Sequence, residues 1–240
     1  MSKSRILCLH GDGTNAAIFE AQTREVYKAL EPDYELVYLN APFECEAGHG
    51  VRPFFEDCGP FFRWTREGAS DDGEDAHLFD GVIDVMSDLA FEYDDCESAF
   101  AGILGFSSSA GVVAGILKEQ SFRQTYNLSP LLSMRFTFGI LLNGHGSPLS
   151  LGARSESESE FESDQVFAVS RTGYLIDIPS VHTFGRFDEW LAQSQALASC
   201  FARDLRVCLE FENDHRVPVK PHDVRELVRG VRILQEKCNA

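Results

Sequence analysis

The stretch Gly105-Phe106-Ser107-Ser108-Ser109-Ala110-Gly111 follows an apolar run, Phe100-Ala101-Gly102-Ile103-Leu104, and opens a helix-like run of small residues. A serine at such a strand–turn–helix corner is placed for nucleophilic attack. The strained turn lifts its hydroxyl above the sheet, and the N–H of the next residue can hold an oxyanion. Ser107 stands at the corner. The G-x-S-x-G pattern is met only in part, because Ser109 occupies the place of the second glycine. A tight turn without chemistry would also want small residues, so the motif needs partners elsewhere in the chain.

A serine nucleophile needs a base, and the base needs an orienting carboxylate. Both belong where Ser107 is, just past the end of a strand. The apolar run 180–184 is followed by Gly185-Arg186-Phe187-Asp188, and the run 206–212 by Asn213-Asp214-His215. Ser107, Asp188 and His215 thus come in the order in which an elbow serine finds its partners. The other histidines fit less well: His10 belongs to the first strand's turn, His182 lies inside a strand, and His145 follows Asn143-Gly144. His49 and His77 come too early in the chain, and His222 at the start of the last helix is the serious rival. Asp177, Asp214 and Asp223 are alternative carboxylates; Asp177 precedes its strand, and the other two crowd the histidine.

The first strand's exit reads Leu9-His10-Gly11-Asp12-Gly13-Thr14-Asn15. There the backbone N–H of Asp12 would join that of Ser108 as an oxyanion hole, with Gly11 and Gly13 letting the main chain approach. The Asp12 carboxylate must then face away, while Thr14 or Asn15 can cap the following helix. No G-x-x-x-x-G-K-[ST] loop is present. No clustered His/Cys/Asp spacing points to a metal, and the chemistry drawn from these residues needs no cofactor.

The elements that must position these groups alternate. Strands are expected at 5–9, 35–40, 99–105, 136–142, 180–184 and 206–212, and helices at 19–31, 79–93, 108–119, 189–204 and 219–236. This βαβ pattern implies a mostly parallel sheet with helices on both faces, and 240 residues suit a single α/β domain spanning 1–240. In the last helix Val224, Leu227, Val228, Val231 and Leu234 make one apolar face, opposite Arg225, Arg229 and Arg232. Segment 42–65 is punctuated by Pro42, Pro53 and Pro60 and carries Phe43, Phe61, Phe62 and Trp64. It reads as an irregular aromatic wall of an acyl pocket, although aromatics that merely seal a core would look alike. Segment 154–164 is rich in Ser and Glu and is expected to be an exposed, flexible acidic loop.

A formal net charge of −17 argues against a nucleic-acid partner and an anionic membrane surface. Seven scattered cysteines without a C-x-x-C pair suit a reducing compartment, with Cys8 and Cys208 read as small buried hydrophobes. No apolar run reaches membrane-spanning length and no signal peptide precedes the first strand, so a cytoplasmic protein is expected.

Leu7-Cys8-Leu9-His10-Gly11, Gly105-Phe106-Ser107, Asp188 at the end of His182-Thr183-Phe184-Gly185-Arg186-Phe187-Asp188, and His215-Arg216-Val217-Pro218 resemble the FSH family of small serine hydrolases. Pro42-Phe43 and Gly59-Pro60-Phe61-Phe62-Arg63-Trp64 are similar to that family's acyl-pocket region. The resemblance runs from about residue 4 to about residue 235 and implies an α/β-hydrolase fold, with Ser107, Asp188 and His215 as the triad. Many fungal members are encoded beside polyketide synthases and act as thioesterases or acyl hydrolases. The implied reaction is therefore hydrolysis of a thioester or ester of an apolar acyl chain. Its partner would be a phosphopantetheinylated acyl carrier domain if the substrate is carrier-bound. Two other readings stand beside it: a general carboxylesterase on small lipophilic esters, and a non-catalytic hydrolase-fold binding protein. Two features depart from the family pattern: Ser109 replaces the usual glycine and narrows the elbow, and 154–164 looks like an insertion.

Overall fold

The apolar runs become strands buried on both faces, as parallel strands under helical layers must be. The computed structural model describes residues 3–48, 50–66, 80–93, 100–149 and 173–238, so His49, His77 and the acidic segment 154–164 lie outside the described residues. In chain order its elements are β1 (Ser4–Leu9), α1 (Ala16–Gln22), α2 (Arg24–Leu30), β2 (Tyr34–Leu39), β3 (Phe43–Cys45), β4 (Phe61–Arg63) and α3 (Asp80–Glu92). There follow β5 (Phe100–Phe106), α4 (Ser109–Thr125), β6 (Phe138–Leu142), β7 (Ser180–Gly185), α5 (Leu191–Ser199), β8 (Arg206–Phe211) and α6 (Pro221–Cys238).

Six strands form the main sheet in the order β2-β1-β5-β6-β7-β8, every neighbouring pair parallel. The chain goes outward from β1 to β2, then crosses to the other side of β1 with β5 and continues outward from there. Strand order therefore reverses at the carboxyl ends of β1 and β5, where open α/β sheets form their ligand crevice. One face of the sheet packs on α3, α4 and α5 through Val82, Met86, Val113, Leu117 and Leu197. The other packs on α1, α2 and α6 through Phe19, Val26, Leu30 and the apolar face Val224, Leu227, Val228, Val231 and Leu234.

Beyond shifts of element ends, three details differ from the expectation. The helix expected over 19–31 is two helices parted at Thr23, whose hydroxyl donates to the Phe19 carbonyl at 2.7 Å and bonds the Tyr38 hydroxyl at 2.7 Å. A threonine hydroxyl turned onto the preceding turn competes with helix continuation. The aromatic segment 42–65 is not wholly irregular: β3 and β4 pair antiparallel, with Phe43 opposite Arg63 and Cys45 opposite Phe61. Cys8 is fully buried, but Cys208 is exposed, because β8 is an edge strand with only one face covered. Among the described residues no helix is long and apolar enough to cross a membrane.

Candidate active site

The elbow forms as the spacing requires. Ser107 has φ +61°, a left-handed conformation that costs a non-glycine residue about 1–2 kcal/mol and puts its side chain at the corner between β5 and α4. Its N–H donates to the Leu142 carbonyl at 3.1 Å, which fixes the corner to the neighbouring strand β6. Gly105 cannot carry a side chain, because a Cβ there would lie 2.8 Å from the Ser109 carbonyl oxygen. Ser109 does not disturb the turn. Its buried hydroxyl sits 2.8 Å from the Leu9 carbonyl and accepts the Phe106 N–H at 2.9 Å, so it ties the exit of β1 to the elbow.

Ser107, Asp188 and His215 meet at this corner although 108 residues separate the serine from the histidine. His215 Nδ1 lies 2.7 Å from Asp188 Oδ2, and His215 Nε2 lies 2.8 Å from Ser107 Oγ. With Nδ1 donating to the carboxylate, Nε2 is left as the acceptor for the serine proton. Asp188 is only 6% exposed, and a buried carboxylate needs donors. It has three: His215 Nδ1, the Asn143 side-chain amide at 3.1 Å on the same oxygen, and the Trp190 N–H at 2.8 Å on Oδ1. The ring of Phe106 lies 5.1 Å from that of His215 and covers one side of it.

Asn143, just past β6, escapes a reading based on residue order. It is fully buried at φ +43°, and its amide also donates to the Asp214 carbonyl at 3.0 Å while its oxygen accepts the Thr183 hydroxyl at 3.1 Å. His145 follows in the same loop. Its Nε2 lies 3.2 Å from Ser107 Oγ, and its ring stacks on Trp190 at 4.7 Å. Both could have been found by asking what stands at the end of β6, the one strand exit between those of Ser107 and Asp188. His222, by contrast, is exposed on the first turn of α6 beside Asp223. His182 is buried in β7 against Ser180, where burial pushes its pKa down to about 3.

The turn after β1 lies against the elbow. A Cβ on Gly11 would be 3.3 Å from that of Ser107, and Gly13 at φ +71° has the backbone of Gly48 pressed against it. The Asp12 N–H donates to Ser108 Oγ at 3.1 Å, which brings the two expected oxyanion residues together. The Asp12 carboxylate turns toward the Trp64 N–H at 3.4 Å. Asn15 caps α1 by accepting the Ile18 N–H at 2.9 Å. His10 braces the turn from below: Nε2 accepts the Ala41 N–H at 3.0 Å and Nδ1 donates to the Gly11 carbonyl at 2.8 Å. Burial lowers its pKa, which favours the neutral ring this bonding requires.

The four aromatic residues of 42–65 do different things. Trp64 is 1% exposed and its indole N–H donates to the His10 carbonyl at 2.7 Å, so it supports the turn instead of presenting a free face. Phe61 and Phe62 are half-buried on β4, which is fastened to the turn by Gly13 N–H to Phe62 O and Phe62 N–H to Thr14 O. Phe43, also half-buried, packs beside Gly81 of α3 under the Arg66 guanidinium. A cavity of about 270 Å³ lined by Ile116, Arg123, Leu131 and Met134 lies along the far half of α4, more than a turn of helix beyond the elbow.

Comparison with known proteins agrees with this geometry. Esterase pigG of Monascus ruber is 35% identical over 95% of this chain and 89% of its own length. Esterase claE of Penicillium crustosum is 34% identical over 97% and 93%. Among solved structures, acyl-protein thioesterase 2 of Zea mays superposes with a TM-score of 0.60 at 16% identity, covering 98% of this chain and 94% of that one. Esterase PE8 gives 0.57 at 17%, covering 97% and 93%. At such identities these two speak for the α/β-hydrolase fold alone. Residues 1–227 match the serine hydrolase (FSH1) family, and the chain belongs to it.

Proposed function

We propose that this hydrolase cleaves the thioester or ester of an apolar acyl chain and releases a polyketide or related acyl product from a carrier protein. The observation that carries the chemistry is the continuous hydrogen-bonded chain Ser107–His215–Asp188. In this reading His215 takes the Ser107 proton, Oγ attacks the acyl carbonyl, and the N–H groups of Asp12 and Ser108 stabilise the oxyanion. Substrate oxygen would take over the Asp12 N–H from Ser108 Oγ. The leaving thiol or alcohol receives the proton from His215, which then activates water to free the acid. Asp188 holds the imidazole in the required tautomer.

An apolar acyl group suits the rim. Phe187 and Trp190 flank Asp188 and Val219 follows His215, and these three are 69%, 37% and 56% exposed. Phe61 and Phe62 extend the apolar surface from the other side, beside the turn. A second reading, a carboxylesterase on free lipophilic esters, is favoured by the charge on α6. Of the three arginines on α6, Arg229 pairs with Glu226 and Arg232 with Asp33, which weakens a basic patch for an acidic carrier domain.

Matched acyl chains presented as carrier-bound thioester, free thioester and oxygen ester separate these readings. Faster turnover of the carrier-bound form supports release from a synthase, and equal or faster turnover of the free esters supports the second reading. A Ser107→Ala variant that still released product would overturn both.

A further inference from the structure

Two imidazoles reach one hydroxyl. Ser107 Oγ lies 2.8 Å from His215 Nε2 and 3.2 Å from His145 Nε2, with the two rings 6.0 Å apart. A serine hydroxyl has one proton to give and two lone pairs to receive with. The bond from His215 Nδ1 to Asp188 leaves His215 Nε2 as an acceptor, so the serine proton goes there. The contact with His145 then requires the proton to be on His145 Nε2, pointing at an Oγ lone pair. We infer that His145 is a second catalytic imidazole, whose Nε2–H donates to Ser107 Oγ and speeds its departure when the acyl-enzyme is hydrolysed.

Its benefit falls on the second half of the reaction. In the free enzyme the hydroxyl oxygen already accepts this bond, so His145 stabilises the ground state and the attack on substrate to similar extents. Uniform binding of that kind does not accelerate a step. In the acyl-enzyme Oγ is an ester oxygen, a poor acceptor. Water then attacks the acyl carbon, its proton passing to His215 Nε2. As the C–Oγ bond breaks, its electron pair moves onto Oγ and the proton returns from His215 to it. His145 transfers nothing, and its bond strengthens only as charge gathers on Oγ.

The loop is built to hold the ring there. The His145 N–H donates to the Ser107 carbonyl at 3.3 Å, and the Leu149 N–H donates to the Gly111 carbonyl at 3.0 Å. A Cβ on Gly144 would lie 2.3 Å from that of Ala110, and one on Gly115 would lie 2.4 Å from the Leu149 oxygen, so the loop lies directly on α4 with no room for a side chain between them. Trp190, on which the ring stacks, is itself fixed by its N–H to Asp188 Oδ1 at 2.8 Å. One carboxylate therefore steadies both imidazoles.

The inference rests on Ser107 as the nucleophile, and one experiment separates the two claims. Wild type, His145→Phe and His145→Gln are mixed with p-nitrophenyl butyrate, with stopped-flow recording of p-nitrophenol and intact-mass analysis of quenched enzyme. His145→Phe keeps a stacking ring and loses the donor; kcat should fall about tenfold, the loss of one net hydrogen bond. A p-nitrophenol burst near one per enzyme should appear, with the adduct on Ser107 and a burst rate within about twofold of wild type. His145→Gln, which offers an N–H, should clear the adduct faster than Phe. Should the Phe variant not fold, His145→Ala reads the same adduct. An adduct that clears equally fast with and without the imidazole, or a slower burst without accumulation, overturns the role of His145. Absence of any Ser107 adduct in all variants overturns the nucleophile instead.

Discussion

Replacing Asn143 tests whether the site is held together from beneath. Its side chain makes three hydrogen bonds in a position of zero exposure: to Asp188 Oδ2 at 3.1 Å, to the Asp214 carbonyl at 3.0 Å, and from the Thr183 hydroxyl at 3.1 Å. A bond to a charged group is worth about 1.5–3 kcal/mol net and a neutral one about 1, so Asn143→Ala should lose about 4 kcal/mol. The backbone at φ +43° adds a strain of about 1–2 kcal/mol for alanine that asparagine tolerates better. Asn143→Gly loses the same bonds without that strain. Glycine's entropic penalty of about 0.5–1 kcal/mol is smaller, so Gly should be the more stable variant. Urea denaturation measures both. With Asp188 freed on one side, kcat on a p-nitrophenyl ester should fall about 10- to 100-fold, as displacements of catalytic groups do. An Asn143→Ala protein within about 1 kcal/mol of wild type and with unchanged kcat would show that Asn143 does not hold the site together, and Ala exceeding Gly in stability would contradict the strain at φ +43°.

Other outcomes follow from the same contacts. Asp188→Asn keeps the shape but turns an amide N–H toward His215 Nδ1, which favours the tautomer with its proton on Nε2. That leaves no acceptor for the Ser107 proton, so kcat on a p-nitrophenyl ester should drop about 10³- to 10⁴-fold. Ser109→Gly restores the family pattern yet removes the hydroxyl between Leu9 O and the Phe106 N–H; stability should fall by about 1–2 kcal/mol while fluorophosphonate labelling of Ser107 persists. Burial lowers the pKa of His182 to about 3 and that of His10 below its ordinary value. The folded state therefore binds fewer protons than the unfolded one between about 3 and 6.5, and stability is complete above about 6.5. Denaturation midpoints should fall as pH drops through that window, by up to about 1.4 kcal/mol per pH unit for His182, and a flat profile would contradict the buried neutral ring.

The parts of this site that the sequence discloses are those fixed by chain order. Apolar runs mark the strands, and a parallel sheet puts every strand exit at one edge, so Ser107, Asp188 and His215 can be picked out by position. What stays hidden depends on contacts between distant segments. Asn143 looks like an ordinary turn residue after a strand, and its value comes from hydroxyl, carboxylate and carbonyl groups 40 to 71 residues away. Trp64 reads as a pocket wall because aromatic content is visible, whereas the His10 carbonyl that takes its indole proton is not. Ser109 reads as a narrowing of the elbow until its partner on β1 is known. His145 can be seen in the sequence, but only the packing of Gly144 on Ala110 and the ring on Trp190 brings it to the serine.

Sheet geometry explains why the site needs these extra residues. Neighbouring strands lie about 4.7–4.9 Å apart, so β5 and β7 are separated by about 10 Å and β8 lies about 5 Å further out. His215 starts from β8 and must reach back across two strands to touch Ser107 at the end of β5. Asp188, from β7, stands under the imidazole at the middle of that span. Asn143, at the end of β6, fills the gap under the carboxylate and is bonded to residues from β7 and beyond β8. On the other side, Ser108 and Ser109 tie the elbow to the exit of β1. The exits of five adjacent strands are thus cross-linked by side chains, and the catalytic distances are properties of that lattice. A group in it cannot be assigned a private share of the activity, because removing one cross-link moves the partners of the others.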